Sequence, residues 1–226
     1  MKRQLALICI ILWIGISGCT SLKMAYQSIF GTEEEQTAQE LAWNGMDEYE
    51  SGNYKASIET FKKLKDFYPF SKYAMLAELK IGDAHYQLEA YEEAIFAYEE
   101  FENLHPRNEA IPYVIYQIGR CYFDQIHTID RDQTSARKAL ETFQRLQKQF
   151  PDDQYARRAE ELIHKCSKSL AGNEFYIGRF YYKTKHYKAA LQRFQTVLAK
   201  YPDVGYHQEA LHYIAKCEEA LAAEQK

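Results

Sequence analysis

Four glycines set a register that stacked helical hairpins satisfy. Gly45, Gly82 and Gly178 are each followed by an aromatic residue after four positions (Tyr49, Tyr86, Tyr182) and a tyrosine after nine (Tyr54, Tyr91, Tyr187). A small residue comes at plus twelve (Ser57, Ala94, Ala190), an aromatic at plus sixteen (Phe61, Tyr98, Phe194) and a proline at plus twenty-four (Pro69, Pro106, Pro202). The glycine and the small residue let two antiparallel helices approach, large residues fill the space beside them, and the proline stops the second helix. In the first unit Glu50-Ser51-Gly52-Asn53 supplies the reversing turn. The unit of Gly119 keeps Phe123, Ala139, Phe143 and Pro151. Its second half arrives eight residues late, because a longer loop occupies Asp124 to Ser135.

The fold class is therefore all-α, with tetratricopeptide-type hairpins stacked as a short α-solenoid. Thr32 followed by Glu33, Glu34 and Glu35 reads as a capping box, Ser71 as the cap of a helix reaching Leu88, and Asp203 as the cap of a last helix reaching Ala223. An extra helix fits at 153–170, and no proline stops it from running on to 184. Gly172 marks either a kink in one long helix or a break. The final helix has no second partner in sequence and is expected to cap the stack.

The N-terminus stands outside the repeats. Lys2 and Arg3 precede an apolar run from Leu5 to Ile16, too short to span a bilayer comfortably and followed by Ile16-Ser17-Gly18-Cys19. This order of charge, apolar core and cysteine predicts a lipoprotein signal peptide over 1–18, cut ahead of a lipidated Cys19. A tether over 19–31 and a repeat domain over 32–223 follow. Removing Lys2 and Arg3 leaves 26 basic against 32 acidic residues, a net charge of about −6. Nucleic acid is thereby excluded as a partner, since phosphate binding needs clustered positive charge.

Catalytic and metal chemistry find no footing. There is no phosphate-binding glycine loop, serine elbow or His-Glu-x-x-His helix. His207, His212 and Cys217 are five residues apart, which turns each about 140° from the last on a helix and prevents convergence on one metal. Glu92-Glu93 and Glu160-Glu161 read as exposed helix faces. Cys121, Cys166 and Cys217 are odd in number, so at most two can pair; small buried side chains are the alternative. The chain is expected to be no enzyme and to carry no cofactor beyond the lipid on Cys19.

What remains is surface. If first helices line the concave face, the positions at minus three, plus one and plus four from each glycine face a groove. They include Tyr49, Asp83, Tyr86, Tyr116, Arg120, Phe123, Arg179 and Tyr182. Aromatics with later arginines suit a peptide having aromatic side chains and a terminal carboxylate. The alternative is that the aromatics pack hairpin against hairpin.

Two segments exceed the generic repeat pattern: Tyr68-Pro69-Phe70-Ser71-Lys72-Tyr73-Ala74 after the first hairpin, and Asp130-Arg131-Asp132-Gln133 with Ala136-Arg137 in the long loop. With the lipoprotein signal, the chain resembles the BamD family, lipoproteins of the β-barrel assembly machinery of Gram-negative outer membranes. The likeness runs from about residue 32 to 215. The family usually completes a fifth hairpin, whereas here one more helix follows the fourth. The resemblance implies an outer-membrane lipoprotein facing the periplasm, with Thr20 compatible with that sorting. Implied partners are unfolded barrel substrates, the POTRA region of the barrel subunit and other assembly lipoproteins. Arg193, in Gln192-Arg193-Phe194, aligns with an arginine that family members use against an acidic POTRA residue; its alternative role is to solvate a helix face. Another envelope repeat lipoprotein, such as a pilus-assembly pilotin or cell-wall scaffold, needs only the generic pattern.

Overall fold

The computed structural model describes residues 36–224. The expected signal peptide, Cys19, the tether and Thr32 lie outside the described residues. Nine helices are described: α1 (Ala38–Glu50), α2 (Tyr54–Phe67), α3 (Ala74–Gln87), α4 (Tyr91–Leu104), α5 (Ile111–Asp124), α6 (Thr134–Gln149), α7 (Gln154–Lys183), α8 (Tyr187–Lys200) and α9 (His207–Glu224). Each packs against its neighbours in sequence, and α1 also touches α3 while α5 touches α7. The all-α reading holds, with no strand among the described residues.

The glycine register has a sharper physical meaning than close helix approach. A Cβ on Gly45 would stand 2.7 Å from the ring of Phe61, one on Gly82 2.7 Å from Tyr98, and one on Gly178 2.8 Å from Phe194; Phe143 covers Gly119 in the same way. Each glycine is thus roofed by the aromatic of the second helix, and these four rings are fully buried. The small residue sits beside it: the Ser57 hydroxyl donates to the Gly45 carbonyl at 2.8 Å.

Turns recur at plus seven, where Gly52, Glu89 and Lys185 have φ of 79°, 57° and 61°. Glycine occupies this left-handed position in only one of the three, so Glu89 and Lys185 carry a steric cost that packing of their hairpins overrides.

Helix starts differ from the sequence reading. The capping box belongs to Thr37 and Glu40, with the Thr37 N–H donating to Glu40 Oε2 at 2.8 Å and the Glu40 N–H donating to Thr37 Oγ1 at 3.3 Å. Ser71 does not cap α3: Tyr73 holds the N-cap position without a side-chain bond, and Ser71 instead accepts the Ala74 N–H through its backbone carbonyl at 3.1 Å. Asp203 does not cap α9 either. It lies at φ 62°, ahead of a helix whose first bond runs from the Ala210 N–H to the Tyr206 carbonyl. Asp153 does cap α7, accepting the Tyr155 N–H at 2.7 Å.

Of the two readings of residues 153–184, one continuous 30-residue helix is found. Its first half buries Ala156, Ala159 and Cys166 in the core shared by α4, α5 and α6; its second half buries Ala171 and Phe175 against α8 and α9. A third core joins α1 to α4 around Phe61, Leu64 and Ile81. The long loop between α5 and α6 lies across the middle of α7. Asn173 donates to the Ile129 carbonyl at 2.7 Å, and Ser169 donates to Gln133 Oε1 at 2.8 Å. Gly172 makes room there, since its Cβ would meet Tyr206 and Ile129 within 3 Å.

Candidate functional site

The predicted groove positions come from first helices, and their inner edges are occupied by packing that repeats from unit to unit. The plus-four and plus-nine tyrosines meet edge to face in three hairpins: Tyr49 with Tyr54 at 5.3 Å, Tyr86 with Tyr91 at 5.9 Å and Tyr182 with Tyr187 at 5.6 Å. Such pairs contribute about 0.5–1.5 kcal/mol beyond area burial. Tyr116 lies against Phe143 and Tyr155, and Phe123 packs against the central core. Tyr182 also touches Tyr213 of α9 at 5.3 Å.

Asp83 is buried, and its carboxylate is taken up inside the protein. Tyr98 donates to Oδ1 at 2.8 Å, Tyr113 donates to the same oxygen at 2.6 Å, and Lys80 pairs with Oδ2 at 2.8 Å. Gln117 donates to the Tyr113 hydroxyl at 3.1 Å, and the Lys80 ammonium stands 4.6 Å from the centre of the Tyr49 ring. One carboxylate therefore joins α1, α3, α4 and α5. Burial and then the Asp83 charge raise the ionisation of Tyr98 and Tyr113 above the ordinary phenol range.

A second cluster is more open. Arg120 stacks over Tyr86 at 5.6 Å, donates to its hydroxyl and pairs with Asp124 at 3.2 Å, while Tyr86 donates to Asp124. Lys80 on Tyr49 and Arg120 on Tyr86 follow one rule, in which a cation of the next first helix covers the plus-four tyrosine of the unit before. Arg179 is exposed, as is the neighbouring Phe180 at 58%. The structure thus brings Tyr49 and Asp83 together through Lys80, and Tyr86 together with Arg120. It leaves Arg179 and Tyr182 in the last unit, apart from the others.

Arg193 lies on the outer part of α8 beside a shallow depression of about 410 Å³, which also has Gln195, Thr196 and Lys200 in its lining. Its Nη1 donates to Glu174 of α7 at 2.9 Å, and its side chain stays 41% exposed. The aromatic beside it, Phe194, points fully inward.

The profile of the YfiO family, described as an outer membrane lipoprotein, matches residues 34–226, which takes in all of these helices and both clusters. The chain belongs to the YfiO family.

Curated relatives carry the name outer membrane protein assembly factor BamD. The Caulobacter vibrioides protein is 32% identical over 79% of this chain and 58% of its own length. The Rickettsia prowazekii protein is 32% identical over 72% of this chain and 65% of its own. That from Neisseria meningitidis serogroup A is 28% identical over 79% and 70%. The chain thus spans less than two thirds of the first two. Among solved structures, MamA 41-end from Desulfovibrio magneticus RS-1 has a TM-score of 0.42 at 16% identity, over 83% of this chain and 92% of that one.

Within this YfiO-family chain the two hallmark segments occupy structural joints. The Tyr68 hydroxyl donates to the Gln36 carbonyl at 2.8 Å, tying the α2–α3 connection to the chain entering α1, and Phe70 is fully exposed. In the second segment Asp132 accepts the Thr134 N–H at 2.9 Å at the start of α6, and buried Gln133 donates to the Thr128 carbonyl at 3.1 Å.

Among the described residues no group of His, Cys, Asp or Glu is arranged to hold a metal, and no helix is long and apolar enough to cross a membrane. Cys121, Cys166 and Cys217 are buried and unpaired. Burial pushes the thiols of Cys121 and Cys166 up to about 12.

Sequence reasoning missed Lys80, Tyr98 and Tyr113 as partners of Asp83, Gln117 as the donor behind Tyr113, and Glu174 as the partner of Arg193. Lys80 had a legible signal, because three residues along a helix bring a lysine and an aspartate to one face.

Proposed function

We propose that this chain is a lipid-anchored, periplasm-facing scaffold of the outer-membrane β-barrel assembly complex and not an enzyme. It binds the barrel subunit through its POTRA region and receives unfolded barrel substrates, alongside other assembly lipoproteins. The observation that carries this reading is the family match, which runs through every described helix. The lipid sits on Cys19, and the partner contact is Arg193, whose guanidinium keeps an edge toward solvent on a depression without a carboxylate in its lining.

Substrate segments meet the first-helix surface. Arg120 and Arg179 supply the cations for a terminal carboxylate, and the outer faces of Tyr49, Tyr86, Tyr116 and Tyr182 supply aromatic contact. Asp83 and Phe123 support that surface from within. Asp83 locks units two and three together, and Phe123 packs against the central core.

The test is a pull-down of the tagged mature chain from outer membranes, which should bring down a large β-barrel protein with periplasmic domains. Arg193→Glu should weaken that complex by about 2 kcal/mol, a charge-assisted pair becoming a repulsive one, with helicity unchanged. Undiminished binding by a folded Arg193→Glu chain would remove Arg193 from the contact.

A further inference from the structure

The repeat register isolates one ion pair from all the others. Positions minus four and plus fifteen from the anchoring glycine hold Leu41 and Thr60 in the first unit, and Glu78 and Ala97 in the second. In the third, with its eight-residue delay, they hold Ile115 and Thr142. Minus four is an inward position: Leu41 is 3% exposed and Ile115 is fully buried, while Glu78 is held by His105 at 2.6 Å. Only the fourth unit answers a carboxylate at minus four, Glu174, with a guanidinium at plus fifteen, Arg193, across one hairpin. Packing asks for no carboxylate–guanidinium pair there, since the first and third hairpins bury Leu41 and Ile115 at minus four, and the second has Ala97 at plus fifteen and holds Glu78 with His105 instead. An ion pair across these two positions that the other units lack, and that shared packing does not require, points to function.

The geometry of the pair is lopsided. Glu174 is sunk to 20% exposure while Arg193 keeps 41%, and the contact uses Nη1. Glu174 also makes itself felt at Tyr201, whose ionisation is raised first by burial and then by the Glu174 charge, with Arg137 acting the other way. Glu174 is thus the more enclosed member of the pair, and Arg193 the more exposed. Lys200 lies along the same depression as Arg193, leaving that strip cationic.

We propose that Glu174 is a positioning residue, which fixes the Arg193 guanidinium in one orientation so that its free edge can take a partner carboxylate in a bidentate grip. The inference rests on the reading of Arg193 as the contact with the barrel subunit. A guanidinium is planar and directional, so an arginine ordered beforehand binds an acidic side chain without losing rotamer freedom at that moment. Removing the anchor should lower affinity roughly three- to tenfold, the cost of ordering one long side chain at an interface.

The experiment is a double-mutant cycle on the full lipoprotein, with affinity for the detergent-purified barrel subunit and thermal unfolding both measured. Glu174→Ala should weaken binding three- to tenfold, and Glu174→Gln, which keeps an acceptor oxygen, should weaken it less. In an Arg193→Ala background, Glu174→Ala should change nothing further. The exchanged chain Glu174→Arg/Arg193→Glu should regain wild-type unfolding yet bind poorly. Tighter or unchanged binding by Glu174→Ala overturns the positioning role, the first outcome showing that Glu174 masks the arginine instead. An equal loss in the Arg193→Ala background also overturns it, as does wild-type binding by the exchanged chain. If Arg193→Ala alone binds as wild type, the contact reading falls first. If Arg193→Ala weakens binding and Glu174→Ala does not, only the positioning role falls.

Discussion

Gly82 offers the most exacting test of how the hairpins close. In Gly82→Ala the new Cβ would lie 2.7, 2.8 and 3.1 Å from three carbons of the Tyr98 ring. That ring has little freedom to retreat, since it is fully buried and its hydroxyl is bound to Asp83 at 2.8 Å. Overpacking of this kind costs about 1–3 kcal/mol. Alanine's better helix propensity returns about 1 kcal/mol. If the ring tilts to escape, Asp83 loses a donor in a buried site, at about 1–3 kcal/mol. The net expectation is a destabilisation of about 1–5 kcal/mol from these contributions. Gly178→Ala is the control, because Phe194 covers it at 2.8 Å or more and has no hydroxyl bond to lose. It should cost about 0–2 kcal/mol by overpacking less propensity. Urea unfolding followed by far-ultraviolet circular dichroism measures both. In a Tyr98→Leu background the ring is gone, and Gly82→Ala should become neutral or stabilising. A Gly82→Ala chain as stable as wild type, or an unchanged penalty in the Tyr98→Leu background, would refute the account.

Three further outcomes are expected. Lys185→Gly and Glu89→Gly should each stabilise by up to about 1 kcal/mol by relieving a left-handed backbone, visible as a raised midpoint in the same urea titration. Stability should fall as pH rises from about 9 toward 12. The thiols of Cys121 and Cys166 are raised by burial to about 12 in the folded chain, so the unfolded chain ionises first; their contribution is complete below the unfolded value and lost as pH rises through the folded one. Cys121→Ala should make that decline shallower, and a decline of unchanged steepness would count against the thiol's share. Cys19→Ser should move the protein out of the membrane fraction when its partners are absent, because stable anchoring needs at least two acyl chains.

The helical repeat was legible in the residues because its constraints are local in period: a glycine, an aromatic sixteen residues later and a proline beyond it recur whatever surrounds them. The family too could be read this way, from Tyr68-Pro69-Phe70-Ser71 and Asp130-Arg131-Asp132-Gln133. Caps were harder. Ser71 and Asp203 have capping side chains, yet Tyr73 and Tyr206 begin the helices, because packing of the connecting loops sets where the first turn closes.

Longer reaches were decided by the tertiary structure alone. That the aromatic roofs the glycine, that α7 runs unbroken through Gly172 with Ile129 and Tyr206 close against that spot, and that Asp83 gathers Lys80, Tyr98 and Tyr113 all depend on elements meeting in space. The same holds for Arg193, which sequence spacing placed on a helix surface and which folding paired with Glu174, nineteen residues away. Periodic burial leaves its mark on the order of residues, whereas the choice of polar partner across a hairpin is made only when desolvation requires each buried charge to find its own counterpart.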